Sequence, residues 1–420
     1  MSEYTERVSR LAQDKTPSPS IEYATKTVDT ARKIPELNIG LIGTGLMAKS
    51  HSMAYLNAAP VFGPLPVKPK LAVICDQSED LARQGAEFFG FECWTTDWRA
   101  MVEDPSIDVV DIVTPNFLHK EMALAAISAG KHVYCEKPLA ANAADAKEMY
   151  EAAQRAGVQT LVGFNYLFNP AVAFAKELIE SGELGELRSF TGSFVLDAVA
   201  DPNIPFTWRF DRELAGAGAL GDVGAHTITM ARYLVGEIKS VCALGRTFIK
   251  ERPGTTGAFG YVSSADEDSP KRAVENDDTM HFLCDFESGA MGSIESDRVS
   301  TGRTWDNAFS VSGSRGSLRF SQQRSYELQL FISGDPEGQQ GFRSVNIGPE
   351  HGYYGRFWPF GGVPLGLHEL KTIEVFELLL AVAEGRAARP DFREGWEVCR
   401  VIDAVVKSAA ERRWVEVRDV

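Results

Sequence analysis

The chain has 420 residues, which at about 150 residues per domain favours two to three domains, and 44% of its residues are hydrophobic, enough for a large buried core. Its 43 basic and 58 acidic residues give a formal net charge of −15 at pH 7, which argues against a general nucleic-acid binder and against a polybasic membrane-surface protein. Since no apolar run approaches the roughly 18 residues of a membrane-spanning helix, we expect no nucleic-acid partner and no membrane partner.

The first 36 residues show no apolar segment after their early charges, as a signal peptide would, and the polar run 16–20 is interrupted by Pro17 and Pro19. We predict an extended or disordered arm over residues 1–36, which is either a free tail or an arm that packs on a neighbouring subunit. The six cysteines are scattered and form no CxxC pair, which argues against a zinc ribbon or a redox dithiol and favours reduced cysteines in a cytoplasmic protein.

Residues 37–160 alternate short apolar runs with segments of helical length, a pattern that indicates βαβ units and a parallel sheet. Four prolines in residues 59–70 predict a loop insertion there. The predicted strands are 37–42, 71–75, 92–94, 109–113 and 132–135, and the predicted helices are 46–58, 79–89, 117–129 and 141–156.

After residue 160 the strands become longer, alternate partly between apolar and polar residues, and are joined by glycine-containing turns. This pattern predicts a mostly antiparallel sheet with one side facing solvent or another subunit. The strands are expected near 187–197, 238–248, 278–286, 290–298, 307–313 and 317–321, with helices near 171–181, 222–235, 368–384 and 393–411. The fold class is therefore α/β: a Rossmann doubly wound sheet over 37–160, then an α+β domain over 161–420 with a large, open, mostly antiparallel sheet for substrate binding and oligomerisation.

A dinucleotide-binding turn is predicted where the first strand meets the first helix. Gly43 allows the tight turn, Gly45 lets backbone amides approach a pyrophosphate, and Ala48 permits close packing of helix on strand. Asp76 ends the second strand, where a carboxylate accepts hydrogen bonds from the ribose hydroxyls and repels a 2′-phosphate, so NAD is expected rather than NADP. The alternative is that Asp76 only caps the following helix.

Two further strands end in polar loops, Thr114-Pro115-Asn116 and Glu136-Lys137-Pro138. Ligands of open parallel sheets bind outside the carboxyl ends of the strands, so both loops should line one crevice.

The run VYCEKPLA over 133–140 resembles the signature of the Gfo/Idh/MocA (glucose–fructose oxidoreductase, inositol dehydrogenase, rhizopine catabolism) family. Five other runs resemble that family in the same order: GTGLMAKSH at 43–51, DIVTPNFLH at 111–119, VGFNYLFNP at 162–170, GELGELRSF at 182–190 and GALGDVGAHTI at 218–228. The resemblance implies an NAD-binding Rossmann domain and a C-terminal domain whose open sheet builds homodimers or homotetramers. The late segment more loosely resembles the sugar and levoglucosan dehydrogenase branches.

The resemblance places the family's catalytic residues on Lys137, Asp222 and His226. Oxidation of a secondary alcohol needs a base for the hydroxyl proton, and a carboxylate beside the histidine would orient the imidazole and raise its basicity. In the alternative interpretation, Asp222 is a plain helix cap and His226 a core histidine; a metal site on the two lacks a third ligand. The expected cofactor-binding residues are Gly43, Thr44, Gly45, Leu46, Met47, Asp76, Thr114, Pro115, Asn116, His119, Glu136, Lys137 and Asn165, and the expected substrate-binding residues are Lys137, Tyr166, Trp208, Arg209, Asp222 and His226.

Three functions fit these residues. The first is an NAD-dependent dehydrogenase of a cyclic sugar, anhydrosugar, inositol or glycoside, acting for example at C3 of a hexose. The second is a redox-neutral glycoside hydrolase that oxidises C3, eliminates, adds water and reduces again, with Tyr166 or His119 as an extra base. The third is a non-catalytic NAD-binding regulator, against which the presence of Lys137, Asp222 and His226 argues.

Overall fold

A computed structural model of the protein describes residues 34–254 and 270–420, so nearly all of the predicted arm lies outside the described residues. The first half of the described chain alternates strands and helices as the sequence predicts. Its strands are β1 (Glu36–Ile42), β2 (Lys68–Cys75), β3 (Cys93–Thr95), β4 (Val109–Ile112), β5 (His132–Cys135) and β6 (Thr160–Val162). Its helices are α1 (Leu46–Phe62), α2 (Glu79–Phe89), α3 (Trp98–Glu103), α4 (Asn116–Ser128) and α5 (Ala143–Ala156).

These six strands form one parallel sheet in the order β3-β2-β1-β4-β5-β6. The strand order reverses next to β1, which is the switch point where doubly wound sheets bind ligands. All four residues of β4 are buried, as expected of a strand that is covered on both faces. The predicted Rossmann sheet is confirmed, and the sequence analysis missed only its sixth strand.

The predicted loop insertion over 59–70 is wrong in extent. Helix α1 continues through Pro60 to Phe62, and β2 already begins at Lys68. Phe62 stacks on Phe376 with ring centroids 4.0 Å apart and also packs edge-on against Tyr353 and Phe357. This aromatic packing, which involves residues almost 300 positions away, outweighs the cost of a proline inside the helix.

The second half of the described chain is dominated by a nine-stranded sheet. The remaining strands are β7 (Leu187–Val195), β8 (Ile238–Arg246), β9 (Glu251–Pro253), β10 (Lys271–Ala273), β11 (Thr279–Phe286), β12 (Met291–Asp297), β13 (Asp306–Gly313), β14 (Gly316–Ser321), β15 (Glu327–Ile332), β16 (Arg343–Asn346) and β17 (Val415–Glu416). The remaining helices are α6 (Pro170–Glu180), α7 (Arg212–Ala215), α8 (Ala225–Val235), α9 (Leu367–Glu384) and α10 (Phe392–Glu411).

The large sheet has the order β16-β15-β14-β13-β7-β12-β11-β8-β17, and β9 pairs only with β10. All neighbours in the large sheet are antiparallel except β7 and β12, which are parallel. One face is buried beneath helices, whereas the other exposes Leu244, Leu283 and Met291. The predicted large, mostly antiparallel sheet with one open face is therefore confirmed.

The last two helices return to the Rossmann sheet. Helix α9 packs on α1 through the Phe62–Phe376 stack, and α10 packs on α5, where the rings of Trp396 and Tyr150 lie 5.5 Å apart. The carboxyl ends of the parallel strands thus lie close to elements from the end of the chain. Within residues 34–254 and 270–420, no helix has both the length and the apolar character needed to cross a lipid bilayer.

Candidate active site

The structure brings Lys137 and Asp222 together. Lys137 follows β5, and Asp222 lies in a π-helical turn, Leu220–Gly224, that leads into α8. Lys137 Nζ lies 2.6 Å from the backbone oxygen of Asp222 and 3.4 Å from its Oδ1. The sequence argument expected Asp222 on the same α-helix as His226; the π turn instead directs the backbone oxygen and Oδ1 of Asp222 towards the lysine.

His226 lies in the first turn of α8 and is buried, with 7% of its surface exposed. The rings of Phe164, Tyr166 and Phe194 surround it, with centroids 4.8 to 6.0 Å away. Burial, and then the charge of Lys137, lower the pKa of His226 well below 6.5. Asp222 acts on the imidazole in the expected direction and raises its pKa, but desolvation and Lys137 lower that pKa by more. The imidazole is therefore neutral at pH 7 and able to accept a proton.

Arg298 is a site residue that the sequence analysis missed. Its side chain is buried next to β12, and its Nη1 lies 3.7 Å from Asp222 Oδ2. Asp222 therefore lies between two cations, Lys137 and Arg298, which attract its carboxylate from either side. Arg298 lies 76 residues after Asp222 in an ordinary strand end, so no local motif marks it.

The small residues before Asp222 are explained by close packing. A Cβ atom added to Gly216 would collide with the backbone oxygen of Ala141, and one added to Gly218 would collide with the backbone oxygen of Asp277. The Asp277 carboxylate accepts hydrogen bonds from Gly218 N at 2.7 Å and Leu220 N at 2.9 Å. The small residues before Asp222 thus let the turn Leu220–Gly224 lie close to the loop that follows Lys137.

The dinucleotide turn has the geometry that the sequence predicts. Gly43 has a φ of +110°, which a side chain disfavours, and nothing lies within 4 Å of a Cβ placed on Gly45. Thr44 Oγ1 donates to Asp76 Oδ2 at 2.7 Å, and Ser78 N donates to the other carboxylate oxygen. Leu46 and Met47 form the first residues of α1, whose N-terminal amides face the turn.

The loop after β4 is held by hydrogen bonds within the protein. Asn116 Nδ2 donates to the backbone oxygen of Ala215, which joins this loop to the segment before the catalytic turn. The buried His119 ring spans two loops, with one nitrogen 2.9 Å from the oxygen of Thr114 and the other 3.0 Å from that of Pro138. His119 therefore connects the loop after β4 to the loop after β5.

Glu136, expected at the cofactor, belongs to a buried ionic network beneath it. Its Oε1 lies 2.6 Å from Lys371 Nζ and 3.0 Å from His51 Nε2, while the other ring nitrogen of His51 faces Asp111. Although burial opposes the charge, Lys371 and His51 hold the pKa of Glu136 well below 4.5. Its Oε2 accepts from Lys137 N at 3.1 Å, so this network fixes the backbone that carries Lys137.

Asn165 and Tyr166 lie beside His226 on a short 3₁₀ turn after β6. Asn165 Nδ2 is buried and has no hydrogen-bond partner among the described residues, so it is available to a ligand amide or hydroxyl. The Tyr166 ring lies 4.8 Å from that of His226, and its hydroxyl accepts a hydrogen bond from Trp305 Nε1 at 2.6 Å. Burial raises the pKa of Tyr166 to about 12, which keeps the phenol protonated.

Trp208 and Arg209 form a layered pair at the edge of this region. The guanidinium carbon of Arg209 lies 4.5 Å from the centre of the Trp208 ring. The Phe117 ring packs edge-on against Trp208, with the ring centroids 6.2 Å apart. Trp208 Nε1 is buried and lacks a partner within the described ranges, as a hydrogen-bond donor reserved for a ligand would.

Comparisons with known proteins agree with this geometry. Residues 37–164 match the model of an oxidoreductase family with an NAD-binding Rossmann fold, and residues 172–319 match the GFO/IDH/MocA C-terminal domain. A levoglucosan dehydrogenase of Pseudarthrobacter phenanthrenivorans is 44% identical over 387 residues, which cover 91% of this chain and 99% of that protein. The chain belongs to the Gfo/Idh/MocA family of oxidoreductases.

A solved structure and a more distant relative extend the comparison. A solved structure of levoglucosan dehydrogenase in complex with NADH and levoglucosan is 43% identical, with a TM-score of 0.86 over 91% of this chain and 99% of that chain. The myo-inositol 2-dehydrogenase of Thermotoga maritima is 29% identical over 311 residues, 73% of this chain and 81% of that protein.

The chain is thus an NAD-dependent oxidoreductase of the Gfo/Idh/MocA family. The described residues fit NAD: the open space at Gly45 admits a pyrophosphate, the half-buried Asp76 follows β2 and bonds to Thr44 of the glycine turn, and the orphaned amide of Asn165 directly precedes Tyr166, whose ring packs against His226. Across the two described ranges, no three His, Cys, Asp or Glu side chains come together in a group that could hold a metal ion.

Proposed function

We propose that the protein oxidises a secondary alcohol of a cyclic sugar, anhydrosugar, inositol or glycoside, with NAD as the hydride acceptor. The observation that carries the proposal is the cluster of Lys137, Asp222 and a buried, neutral His226 at the carboxyl ends of the Rossmann strands. The levoglucosan dehydrogenase, at 44% identity, makes a 1,6-anhydro sugar the first substrate to test.

Bound NAD supplies an electrophilic ring that takes up the hydride of the oxidised carbon. A ring nitrogen of His226 accepts the proton of the substrate hydroxyl, because the neutral imidazole is the form present at pH 7. Lys137 Nζ donates a hydrogen bond to the same substrate oxygen and stabilises negative charge as the proton leaves. Asp222, held between Lys137 and Arg298, orients the lysine.

The residues proposed to bind NAD are those of the dinucleotide turn, the strand ends and the 3₁₀ turn. Asp76 accepts from the ribose hydroxyls and disfavours NADP, since the carboxylate would repel a 2′-phosphate. Asn165 Nδ2 offers its unpaired donor to the cofactor, and Trp208 Nε1 offers its unpaired donor to the substrate. Arg209, whose guanidinium stacks on the Trp208 ring, is the neighbouring residue proposed to bind substrate. Glu136 and His119 act through the loops that they hold.

The redox-neutral glycosidase is not favoured, because it needs a base beside the carbon next to the oxidised one. The pKa of Tyr166 is about 12, so its phenol donates a hydrogen bond at pH 7 and does not accept a proton. The ring nitrogens of His119 face the backbone oxygens of Thr114 and Pro138. Direct dehydrogenation uses only the groups that the site presents.

The protein is further proposed to act as a homodimer or homotetramer in the cytoplasm. The open sheet face supports the assembly, because Leu244, Leu283 and Met291 each expose more than half of their surface there. The cytoplasmic location is supported by the cysteines, all six of which are free thiols. Light scattering measures the mass of the assembly, and a monomer at micromolar concentration would contradict the first of these statements.

The test of the proposed activity is proton NMR of the purified protein with NAD and a panel of anhydrosugars, sugars, inositols and glycosides. We expect one equivalent of NADH for each equivalent of ketone. Cleavage of a glycoside without net NADH would instead establish the oxidation–elimination route. No turnover of any member of the panel, with NAD bound, would overturn the proposal in favour of a regulator.

A further inference from the structure

The loop between β12 and β13 reaches the catalytic site with both of its ends. At its start, the Arg298 guanidinium lies beside Asp222. At its end, Trp305 extends to Tyr166, and its Nε1 donates to the tyrosine hydroxyl at 2.6 Å. Because Asp222 and Tyr166 both flank His226, this single loop contributes to two sides of the reaction centre.

Trp305 occupies an unfavourable backbone conformation. Its φ is +50°, and among the described residues it shares a positive φ with only one other residue that is not glycine, Arg412. Bulky side chains rarely adopt this region, and such outliers persist where the surroundings impose them, most often at functional sites. Here the conformation directs the indole inwards, against Phe194 at 5.8 Å and onto Tyr166.

The indole is nevertheless open to solvent. Trp305 exposes 52% of its surface, whereas its partners Tyr166 and Phe194 expose 4% and 1%. The polar N–H end is therefore anchored inside the protein, while about half of the residue stays uncovered next to Tyr166 and Phe194, the rings that pack on the buried His226. Ligand sites commonly combine such an aromatic wall with a few fixed polar groups.

We propose that Trp305 determines specificity for a cyclic substrate, its exposed indole face packing against the apolar C–H face of the substrate ring; this inference rests on the proposed function. The hydrogen bond from Trp305 Nε1 has a second consequence. Since the Tyr166 oxygen accepts from the indole, the phenolic hydrogen points elsewhere and is free to bind a substrate hydroxyl. Trp305 and Tyr166 together thus contact one face and one hydroxyl of the substrate ring.

The experiment compares Trp305→Ala and Trp305→Phe with the wild type, using Trp414→Ala as the matched control. Trp414 exposes 49% of its surface and plays no part in the site described above. We expect Trp305→Ala to raise the KM for the cyclic substrate by about tenfold or more, with Trp305→Phe between it and the wild type. The Kd for NAD and the thermal midpoint serve as checks of folding. An unchanged KM in Trp305→Ala would overturn the proposal.

A double-mutant cycle with Tyr166→Phe separates contact from positioning. If Trp305 contacts the substrate, Trp305→Ala still raises KM in the Tyr166→Phe background, and it raises KM more for a cyclic polyol than for an open-chain one. If Trp305→Ala has no further effect in that background, the indole acts only through Tyr166 and the stacking proposal fails. Failure of the proposed function itself is distinguishable, because the wild type would then oxidise no member of the panel.

Discussion

At the scale of single residues, the site depends on how burial and neighbouring charges set protonation. His226 is surrounded by aromatic rings, and its pKa is lowered well below 6.5 because desolvation penalises the imidazolium and Lys137 repels it. An imidazole with so low a pKa is deprotonated, and so able to accept a proton, throughout the neutral pH range. Such an imidazole is a weak base, and in the proposed mechanism Lys137 compensates by stabilising the developing alkoxide.

The first prediction concerns the pH dependence of alcohol oxidation. The lowered pKa places the protonation of His226 below pH 6.5, so kcat/KM should be flat from neutral pH downwards and should fall only as the pH drops through that pKa. His226→Gln should lower turnover by about a hundredfold or more, remove this acidic limb and leave NAD binding intact.

His281→Gln is the matched control, since His281 is an exposed residue of β11. Stopped-flow measurement of NADH formation between pH 5 and 8 checks both variants. An acidic limb that survives in His226→Gln would remove His226 from the proton transfer.

The second prediction concerns the choice of dinucleotide. Asp76 is half-buried at the end of β2, where its carboxylate already accepts from Thr44 and Ser78 and keeps further lone pairs for ribose hydroxyls. Asp76→Ala should weaken NAD binding and reduce the discrimination against NADP, as measured by fluorescence titration with each reduced dinucleotide. Asp80→Ala removes an exposed carboxylate from the next helix and should change neither value. If Asp76→Ala still prefers NAD over NADP to the same degree, a group other than Asp76 recognises the ribose.

At the scale of elements, the catalytic turn before α8 is shaped by backbone contacts. Its glycine and alanine residues permit an approach of main chain to main chain that a larger residue would prevent. Asp277, on the segment before β11, then satisfies two amides of the turn. Two loops that are remote in sequence, those of Ala141 and Asp277, therefore hold the turn in place. The local sequence shows only that small residues are required there.

The third prediction compares two glycines of this turn. Gly218→Ala should lower the free energy of unfolding by about 1–3 kcal/mol and reduce turnover, because the added methyl group meets the backbone of Asp277. Gly221→Ala should be better tolerated, since the nearest atom to its added Cβ is the Ala217 Cβ at 3.4 Å. Urea denaturation and steady-state kinetics give both quantities. Equal stability of the two variants would contradict the packing argument.

Helix α1 shows where prediction by element fails. The prolines of residues 59–70 indicate a loop when they are considered locally, yet the helix extends to Phe62. The decisive contact is the stack of Phe62 on Phe376, in a helix near the end of the chain. Local propensity is a weak influence that tertiary packing can outweigh. In contrast, α2 is predicted with the observed bounds, because its ends carry their own signals in Ser78 and Gly90.

At the scale of the whole molecule, a buried ionic network joins the two ends of the described chain. Lys371 of α9 is completely buried and lies 2.6 Å from Glu136 and 2.8 Å from Glu374, and Tyr134 also bonds to Glu374. Beyond Glu136 the network continues through His51 to Asp111. Helix α9 thus supplies the cation for buried carboxylates next to the loop of Lys137.

The fourth prediction tests this network. Lys371→Met should lower the free energy of unfolding at pH 7 by about 3–5 kcal/mol, because it removes the cation that lies closest to the buried Glu136 and also contacts the buried Glu374. The matched control Lys68→Met breaks an exposed pair with Glu36 and should cost less than about 1 kcal/mol. A loss as small as that of the control would show that the network contributes little to stability.

The same network predicts how the stability of the folded protein changes with pH. The pKa of Glu136 is held below 4.5 in the folded protein, so its contribution to stability is fully present above that pH and is lost as the pH falls through the lowered pKa. Urea denaturation of the wild type between pH 3 and 7 measures this contribution. In Lys371→Met the loss with falling pH should be smaller, because the group that lowers the pKa of Glu136 most is gone, whereas His51 and Lys137 remain.

The sequence by itself determined the parts of this protein that neighbouring residues encode: the alternation of strands and helices, the glycine turn with Asp76 at the next strand end, and the motif that carries His226. These features follow from backbone periodicity and from chemistry at fixed short spacing. Only the tertiary structure decided which remote groups complete the site, namely Arg298, Trp305 and Lys371. Charge compensation and desolvation depend on what packs around a buried group, and packing joins residues that are tens to hundreds of positions apart.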